Sequence, residues 1–294
     1  MFDIKPFPIP VVADLGPGSY SEDEALDYMS MPQGMDTFRA PVLPEPEDIA
    51  QHAGAVQVLH EVLAALRQVA EGAAPQQTTA RVTLAGLAAQ DLNLINQVLG
   101  EGEVSAQVLA EHDTPALQIQ ESVFAGVWRV IASQADGTVC DWIEVGAVPD
   151  VLRQTAALDG SQTRTNTLPM PPDVMNAPSV LVELQDQRQT WQPGHMPHVV
   201  NLSLLPLTPM DIAYLDHQLG TGRVLILSRG YGNCRITNCC VPHTWRVVYY
   251  NSQDTVILNS VEVTDMPEVA CAAPEDLLDS VSRLHEVLLW VNQS

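Results

Sequence analysis

The sequence predicts an α+β protein of two tandem pseudo-repeats, each a strand, a helix and an antiparallel set of strands, with additional packing helices. Two observations carry this prediction: blocks of the first half recur in the second, and both halves alternate short apolar runs with helical periodicity. A third is composition, because 294 residues with 46% hydrophobic content can bury a sizeable core.

The recurrence relates residues 84–149 to residues 204–267. The number of positions between a residue and its counterpart changes only between the matching blocks. Insertions and deletions therefore fall in loops, while the helices and strands keep their length. Glycine, tryptophan and aliphatic residues dominate the recurrence, which indicates a scaffold or binding body before an enzyme. Seven residues recur 120 positions later: Leu84, Leu87, Asp91, Leu99, Gly100, Gly102 and Val104 recur as Leu204, Leu207, Asp211, Leu219, Gly220, Gly222 and Val224. Two further blocks recur: Trp128-Arg129-Val130 as Trp245-Arg246-Val247, and Glu144-Val145 with Pro149 as Glu262-Val263 with Pro267.

Residues 1–47 form a proline-rich acidic arm with eight prolines, which disfavour long helices and central strands. The arm also carries many large apolar side chains, which argue against a purely solvated tail. Docking on the chain's own body, docking on a partner and disorder all stay open. For contact with a partner we expect four side chains of the arm to contribute: Tyr28, Met31, Met35 and Phe38.

Residues 48–158 are predicted to be the first repeat unit with a preceding helix. In that helix Val56, Leu59, Leu63 and Leu66 form one apolar stripe. Strand-like runs follow, together with one helix that ends at Gly100. A linker rich in threonine, serine and proline is predicted over residues 159–178.

Residues 179–294 are predicted to be the second repeat unit with a C-terminal helix. The order of the first unit returns as an apolar run, a helix that begins at Pro209, and four strands. The C-terminal helix begins at Pro274, and its apolar residues share one face: Leu277, Val281, Leu284, Leu288 and Val291.

The charge and the targeting signals restrict the possible partners. A net charge of −23, from 36 acidic and 13 basic residues, disfavours nucleic acid and anionic membranes. A basic protein partner would suit this acidic body, although solubility alone is the default explanation. The sequence lacks a secretory signal and a bilayer-spanning apolar stretch, and its five cysteines are an odd number. We therefore expect a cytoplasmic protein without direct membrane insertion.

Catalytic motifs are incomplete. The pairs His60-Glu61 and His285-Glu286 lack the second histidine, four residues after the first, that a zinc protease helix needs. Gly230-Tyr231-Gly232 precedes a strand rather than a helix, which predicts a turn and not a dinucleotide site. We expect Gly230, Tyr231 and Gly232 to contribute to partner binding. The sequence predicts no catalytic residue and no cofactor.

Cys234, Cys239 and Cys240 are the candidate metal ligands because they lie close together in the sequence. Their spacing is not a usual ligand fingerprint, and buried cysteine is a common core residue, so a structural role is favoured. An iron–sulfur or metal carrier or scaffold that uses these thiols stays open as an alternative function.

A second alternative is an enzyme whose site lies between the repeats. Its minimal form would pair Glu144 with Glu262, which occupy equivalent positions in the two copies. Such strand-end acids are more commonly solvated or paired with a nearby cation, here the recurring Arg129 and Arg246, and this structural interpretation is favoured.

Seven short blocks follow one another over essentially the whole chain: Leu15-Gly16-Pro17-Gly18, Met31-Pro32-Gln33-Gly34-Met35, Leu99-Gly100-Glu101-Gly102-Glu103-Val104, Glu121-Ser122-Val123-Phe124-Ala125-Gly126-Val127-Trp128-Arg129-Val130, Gly230-Tyr231-Gly232, Asn251-Ser252 and Pro267-Glu268-Val269. Together they resemble the hydrogenase expression/formation proteins of the HupH/HyaF (HoxQ-like) type. The resemblance is specific because several unrelated blocks occur in the right order.

This resemblance implies an accessory maturation factor, a chaperone, for nickel–iron uptake hydrogenase. Proteins of this type are expected to bind the precursor of the small, iron–sulfur-bearing subunit in the cytoplasm, before twin-arginine export. A thioredoxin-like companion chaperone is implied as a further partner. The family brings no established catalytic residues, so the resemblance implies none here.

Overall fold

The computed structural model describes residues 52–72, 78–111, 114–134, 136–162, 169–230 and 232–291. These residues form six α-helices and ten β-strands, which confirms the α+β class. The helices are α1 Ala53–Ala70, α2 Ala89–Leu99, α3 Asp150–Ser161, α4 Ala177–Thr190, α5 Pro209–Leu219 and α6 Pro274–Val291. The strands are β1 Ala80–Thr83, β2 Val104–Val108, β3 Ala116–Glu121, β4 Val127–Ser133, β5 Val139–Val145, β6 His198–Asn201, β7 Val224–Ser228, β8 Asn233–Asn238, β9 Thr244–Tyr250 and β10 Val256–Val263.

The predicted arm, residues 1–47, lies outside the described residues, and so do Tyr28, Met31, Met35 and Phe38. Tyr231 is likewise outside them. None of the helices in the described ranges is both long and apolar enough to cross a bilayer.

All ten strands belong to one antiparallel sheet, in the order β1-β5-β4-β3-β2-β7-β8-β9-β10-β6. The order is symmetric about the contact between β2 and β7. In that contact Ala106 lies opposite Ile226, and the two residues are 120 positions apart in the sequence. The strands of the first half therefore fill one side of the sheet and those of the second half fill the other.

The two faces of the sheet are covered differently. Because side chains alternate along a strand, Val127 and Ile143 point to one face and Trp128 and Trp142 to the other. We call these the front face and the back face. On the front face α1, α2 and α6 cover one end of the sheet, and α4 and α5 cover the opposite end. On the back face α3 and the short turn at 268–270 pack over the central strands.

The recurring glycines have matching positions in the two halves. Gly100 and Gly220 follow α2 and α5 with φ angles of 55° and 65°, in the region that favours glycine. A Cβ on Gly102 would lie 2.3 Å from the Ser122 carbonyl oxygen, and one on Gly222 would lie 2.1 Å from the Asn238 side chain. These close approaches explain why glycine occupies the positions.

Helix α3 was not predicted, and its last turn lies inside the predicted linker. The helix is stabilised by contacts that are distant in sequence. Asp159, which is only 3% exposed, accepts hydrogen bonds from the Arg223 backbone N–H and Nε and from the Asn238 amide. A Cβ on Gly160 would lie 3.0 Å from the Pro242 Cα. The end of α3 is therefore fixed by residues of the second half, which local periodicity cannot reveal.

A recurring aspartate connects helix starts in both halves. Asp91 in α2 lies 3.3 Å from the His52 ring at the start of α1. Asp211 in α5 is fully buried, and its Oδ1 accepts three backbone N–H groups at the start of α4, from residues 175–177. Its Oδ2 accepts the N–H and hydroxyl of Thr208, the residue that caps α5. Burial alone would raise the pKa of Asp211, but these hydrogen bonds hold it well below the ordinary value.

Replacing Asp211 with Asn should lower the free energy of unfolding at pH 7 by about 2–3 kcal/mol, because several hydrogen bonds to a charged group are lost. A carboxyl with a lowered pKa in the folded state stabilises it above the unfolded pKa of about 3.9, and this contribution is lost as the pH falls further. The deficit of the variant should therefore shrink at pH 3. Urea unfolding followed by circular dichroism at both pH values measures it. Exposed Asp173→Asn is the control, and equal stability of D211N and wild type at pH 7 would contradict the prediction.

Candidate functional site

The centre of the front face forms an open groove between the two groups of helices. The groove has a volume of about 260 Å³. Strands β2, β3, β4 and β7 form its floor, so both halves of the chain contribute. Its lining residues are Ser105, Ala106, Gln107, Gln118, Ile119, Gln120, Arg129, Ile131, Leu225 and Leu227.

The alternation of apolar and amide residues in β3 produces the groove floor. Leu117 and Ile119 pack into the central cluster of the back face, which turns Gln118 and Gln120 to the front. Gln120 Nε2 donates to the carbonyl oxygens of Gly102, Val104 and Glu121 at 3.0–3.3 Å, and is thereby held in place. Half-buried Leu225 and Leu227 of β7 add an apolar strip beside these amides. The floor thus offers both apolar surface and amide groups.

The recurring arginine has a different environment in each half. Arg129 lies at the groove and forms a two-pronged ion pair with Asp141 on the neighbouring strand. Arg246 is 2% exposed and lies 3.3 Å from Asp216 of α5. Pairing with these arginines was one of the two structural explanations offered for the strand-end glutamates. The strand register does not favour it, because Glu144 lies opposite Trp128 and Glu262 opposite Trp245, so that both glutamates face the back of the sheet.

The structure does not bring Glu144 and Glu262 together. They lie on β5 and β10, which are separated by the six strands β4, β3, β2, β7, β8 and β9. With about 4.8 Å between neighbouring strands, the two carboxylates are on the order of 30 Å apart. A catalytic pair of acids, the minimal form of the enzyme alternative, is not formed.

The candidate metal ligands are also dispersed. Cys234 packs in the central cluster of the back face, whereas Cys239 packs with α4 and α5. Burial raises the pKa of each of these thiols to about 12, which disfavours the thiolate that a metal needs. Cys240 is partly exposed. Over the described parts of the chain no three histidine, cysteine or acidic side chains are grouped so that they could hold a metal ion.

Gly230 and Gly232 lie exposed in the turn between β7 and β8, as predicted from the sequence. The turn packs against the start of β2, where the Arg229 N–H donates to the Glu103 carbonyl oxygen at 3.1 Å. A Cβ on Gly230 would lie 2.2 Å from Glu103 Oε2, and Gly232 has a φ of 100°. Gly232 therefore requires glycine, whereas at Gly230 the exposed Glu103 side chain could move aside; the contact of both with a partner stays a prediction.

Glu121, at the end of β3, is a buried acid that belongs to none of the sequence motifs considered as sites. Only 7% exposed, it accepts the Gly126 N–H at 3.3 Å. Burial raises its pKa to about 7, and the nearby charges of Glu103 and Asp276 add to this. The sequence did contain one signal for this residue: an acid at a position of β3 where the alternation of apolar and polar residues predicts a buried side chain. In the second half the corresponding strand ends at Asn238, whose side chain accepts the Val224 N–H without a charge.

Replacing Glu121 with Gln should stabilise the protein at pH 8 by about 1–3 kcal/mol and leave it unchanged at pH 4. The folded-state pKa is raised from 4.5 to about 7, so the wild type loses stability as the pH rises between these values. The variant lacks this loss. Urea unfolding across pH 4–8 measures the difference. Exposed Glu101→Gln serves as the control, and parallel pH profiles for wild type and E121Q would disprove the assignment.

Comparison with known proteins gives consistent matches. The family model described as HupH hydrogenase expression protein, C-terminal conserved region, matches residues 52–166 and 174–291. Hydrogenase expression/formation protein HoxQ of Cupriavidus necator is 56% identical, over 97% of this chain and 98% of its own length. Hydrogenase expression/formation protein HupH of Rhodobacter capsulatus is 46% identical over the same shares of the two chains.

A more distant relative and one solved structure are similar as well. Hydrogenase-1 operon protein HyaF of Escherichia coli is 32% identical, over 95% of this chain and 96% of its own. The solved hydrogenase expression protein HupH of Thiobacillus denitrificans is 25% identical, with a TM-score of 0.37 over 39% of this chain and 95% of that one. The family model and the full-length relatives show that the chain belongs to the HupH/HyaF family of hydrogenase expression/formation proteins.

Proposed function

We propose that the protein is an accessory maturation factor, a chaperone, for nickel–iron uptake hydrogenase. It binds the precursor of the iron–sulfur small subunit in the cytoplasm before export, with a thioredoxin-like chaperone as a possible companion rather than a requirement. The similarity to its relatives supports the hydrogenase assignment, since these are hydrogenase expression/formation proteins. The role is binding rather than catalysis.

The open groove is the observation that carries this proposal. Protein-binding surfaces combine an apolar centre with polar groups that hydrogen-bond the partner, and the groove combines Leu225, Leu227 and Ile131 with three glutamines. The exposed Gln118 amide can donate to and accept from the main chain of a bound polypeptide. An incompletely folded subunit exposes both apolar side chains and unpaired main-chain groups, so its chemistry fits this surface.

The two halves of the chain are best explained as copies of one unit that has been duplicated. The symmetric strand order, the recurring residues with matching positions and the two ranges of the family model all support this. The groove lies across the contact between the copies. A partner bound there contacts both halves at once, so binding requires that the two halves have assembled correctly.

Release follows from differential affinity. A ligand shifts an equilibrium only as far as its affinities for the two states differ. The chaperone therefore binds the precursor without its clusters more tightly than the finished subunit, and cluster insertion weakens the complex.

Replacing Leu227 with Glu should reduce capture of the small-subunit precursor by at least tenfold, because a charge would be desolvated at the centre of the interface. A pull-down with the full-length tagged protein at several precursor concentrations measures this. The matched control is Leu158→Glu, which changes an exposed leucine on α3, the helix of the back face. Full capture by L227E would contradict the assignment of the groove.

The predicted role of the arm can be tested in the full-length chain. Changing Tyr28, Met31, Met35 and Phe38 together to Ser should weaken precursor binding severalfold, because their apolar surface would no longer be buried on the partner. The control changes four exposed apolar residues of the body to Ser: Leu158, Val182, Leu278 and Leu289. Equal binding by wild type and the arm variant, measured by titration calorimetry, would exclude a contribution of these side chains.

A further inference from the structure

A second, smaller pocket lies on the back face at the edge of the sheet. It has a volume of about 230 Å³ and lies between β1, β5 and the first turn of α3. The side chains that matter are Arg81, Trp142, Glu144, Asp150 and Gln154. The pocket is distinct from the groove, which lies on the front face.

Glu144 has one buried carboxylate oxygen without a partner. The residue is 7% exposed, and its Oε1 accepts the Trp142 indole N–H at 2.9 Å. Its Oε2 is buried and makes no hydrogen bond with any residue that the structure describes. Burying an unpaired carboxylate oxygen is costly, so such an atom at a pocket indicates a group that is supplied from outside.

The nearby side chains do not neutralise this acid. Arg81 lies opposite Glu144 in the strand pairing, but its guanidinium carbon is 3.9 Å from the centre of the Trp142 ring. Asp150 adds a second carboxylate, which accepts the Gln154 amide. Among the described residues, neither Glu144 nor Asp150 takes part in an ion pair. The pocket therefore holds two acids and one cation, Arg81, which stacks on the Trp142 ring and forms an ion pair with neither acid.

We propose that this pocket binds the guanidinium group of an arginine side chain on a partner polypeptide. Guanidinium carries five N–H donors in a plane, and the pocket offers acceptors on Glu144, Asp150 and Gln154. The positive charge matches the excess of acids in the pocket, where Glu144 and Asp150 outnumber Arg81, and the net charge of −23 of the chain. That the arginine belongs to a polypeptide rests on the proposed function; the guanidinium site itself does not.

The position of the pocket suits an extended partner segment. Strand β1 is at the edge of the sheet, and on its outer side no strand of the described residues pairs with it. Edge strands of this kind accept an added strand through main-chain hydrogen bonds, while neighbouring pockets select side chains. An arginine in such a segment can reach Glu144 from the edge.

The equivalent position in the second half has different neighbouring side chains and supplies a matched control. There Glu262 lies opposite Val199 rather than an arginine, and Ser260 stands two residues before it where Glu144 has Trp142. Glu262→Gln therefore changes an equivalent acid on a site without the indole.

The test uses the full-length protein and N-acetyl-arginine amide, with N-acetyl-citrulline amide as the neutral probe of nearly the same shape. The readout is the indole N–H resonance of Trp142, assigned with Trp142→Phe, in spectra recorded at constant ionic strength. We expect a saturable shift with the arginine probe and an affinity at least tenfold lower for the citrulline probe. Equal responses to the two probes, or no saturable shift, would overturn the proposal.

The variants identify the group responsible. Glu144→Gln keeps a carbonyl for the indole but removes the charge, and should lower the affinity for the arginine probe at least tenfold, while E262Q leaves it unchanged. Retained binding in E144Q with a native-like spectrum overturns the proposal. Binding that appears only in Arg81→Gln also overturns it, since Arg81 would then be the pocket's own cation. Because the probe needs no precursor, its failure to bind leaves the groove pull-down unaffected, and the two results can be separated.

Discussion

The antiparallel pairing of β2 with β7 is the contact on which the rest of the molecule depends. It runs from Val104 opposite Ser228 to Val108 opposite Val224 and joins the two halves into one sheet. In addition, one helix of each half contacts residues of the other half. α3 of the first half ends against Pro242, and α6 of the second half places Leu277 against Gly126. Two of the three apolar clusters take residues from both halves, and both halves line the groove on the front face, so this groove exists only in the joined form.

The two halves have the same strand order, but equivalent side chains differ in charge and in environment. The recurring arginine lies at the groove in the first half as Arg129 and beneath α5 in the second as Arg246. The buried position at the end of the inner strand is an acid in one half, Glu121, and an amide in the other, Asn238. A partner that lies across the groove would therefore meet the Arg129–Asp141 ion pair on the side of the first half, whereas the equivalent Arg246 is buried beneath α5. This difference can fix the direction of a bound polypeptide, although the strand order of the sheet is symmetric.

Much of the fold could be predicted from the sequence because its signals are local. Periodicity located α1 and α6, and the recurring glycines marked the ends of α2 and α5. The site was less accessible, because it depends on which strands are neighbours. Equivalence in sequence suggested pairing Glu144 with Glu262, but the strand order places six strands between them. The partner of Asp159 is Arg223, which is 64 residues away, so α3 gave no clear local signal. The assignment of each residue to a front or back face also required the strand register.

Both outer strands of the sheet, β1 and β6, are only four residues long. A ten-stranded sheet with long, flat edge strands could pair with further copies of the chain through its unpaired main-chain groups, and would then aggregate. Edge strands of four residues limit such pairing to short segments. The charged or polar side chains of Arg81 in β1 and His198 in β6 limit it further. The shortness of its two edge strands thus lets a ten-stranded sheet stay wide while resisting aggregation.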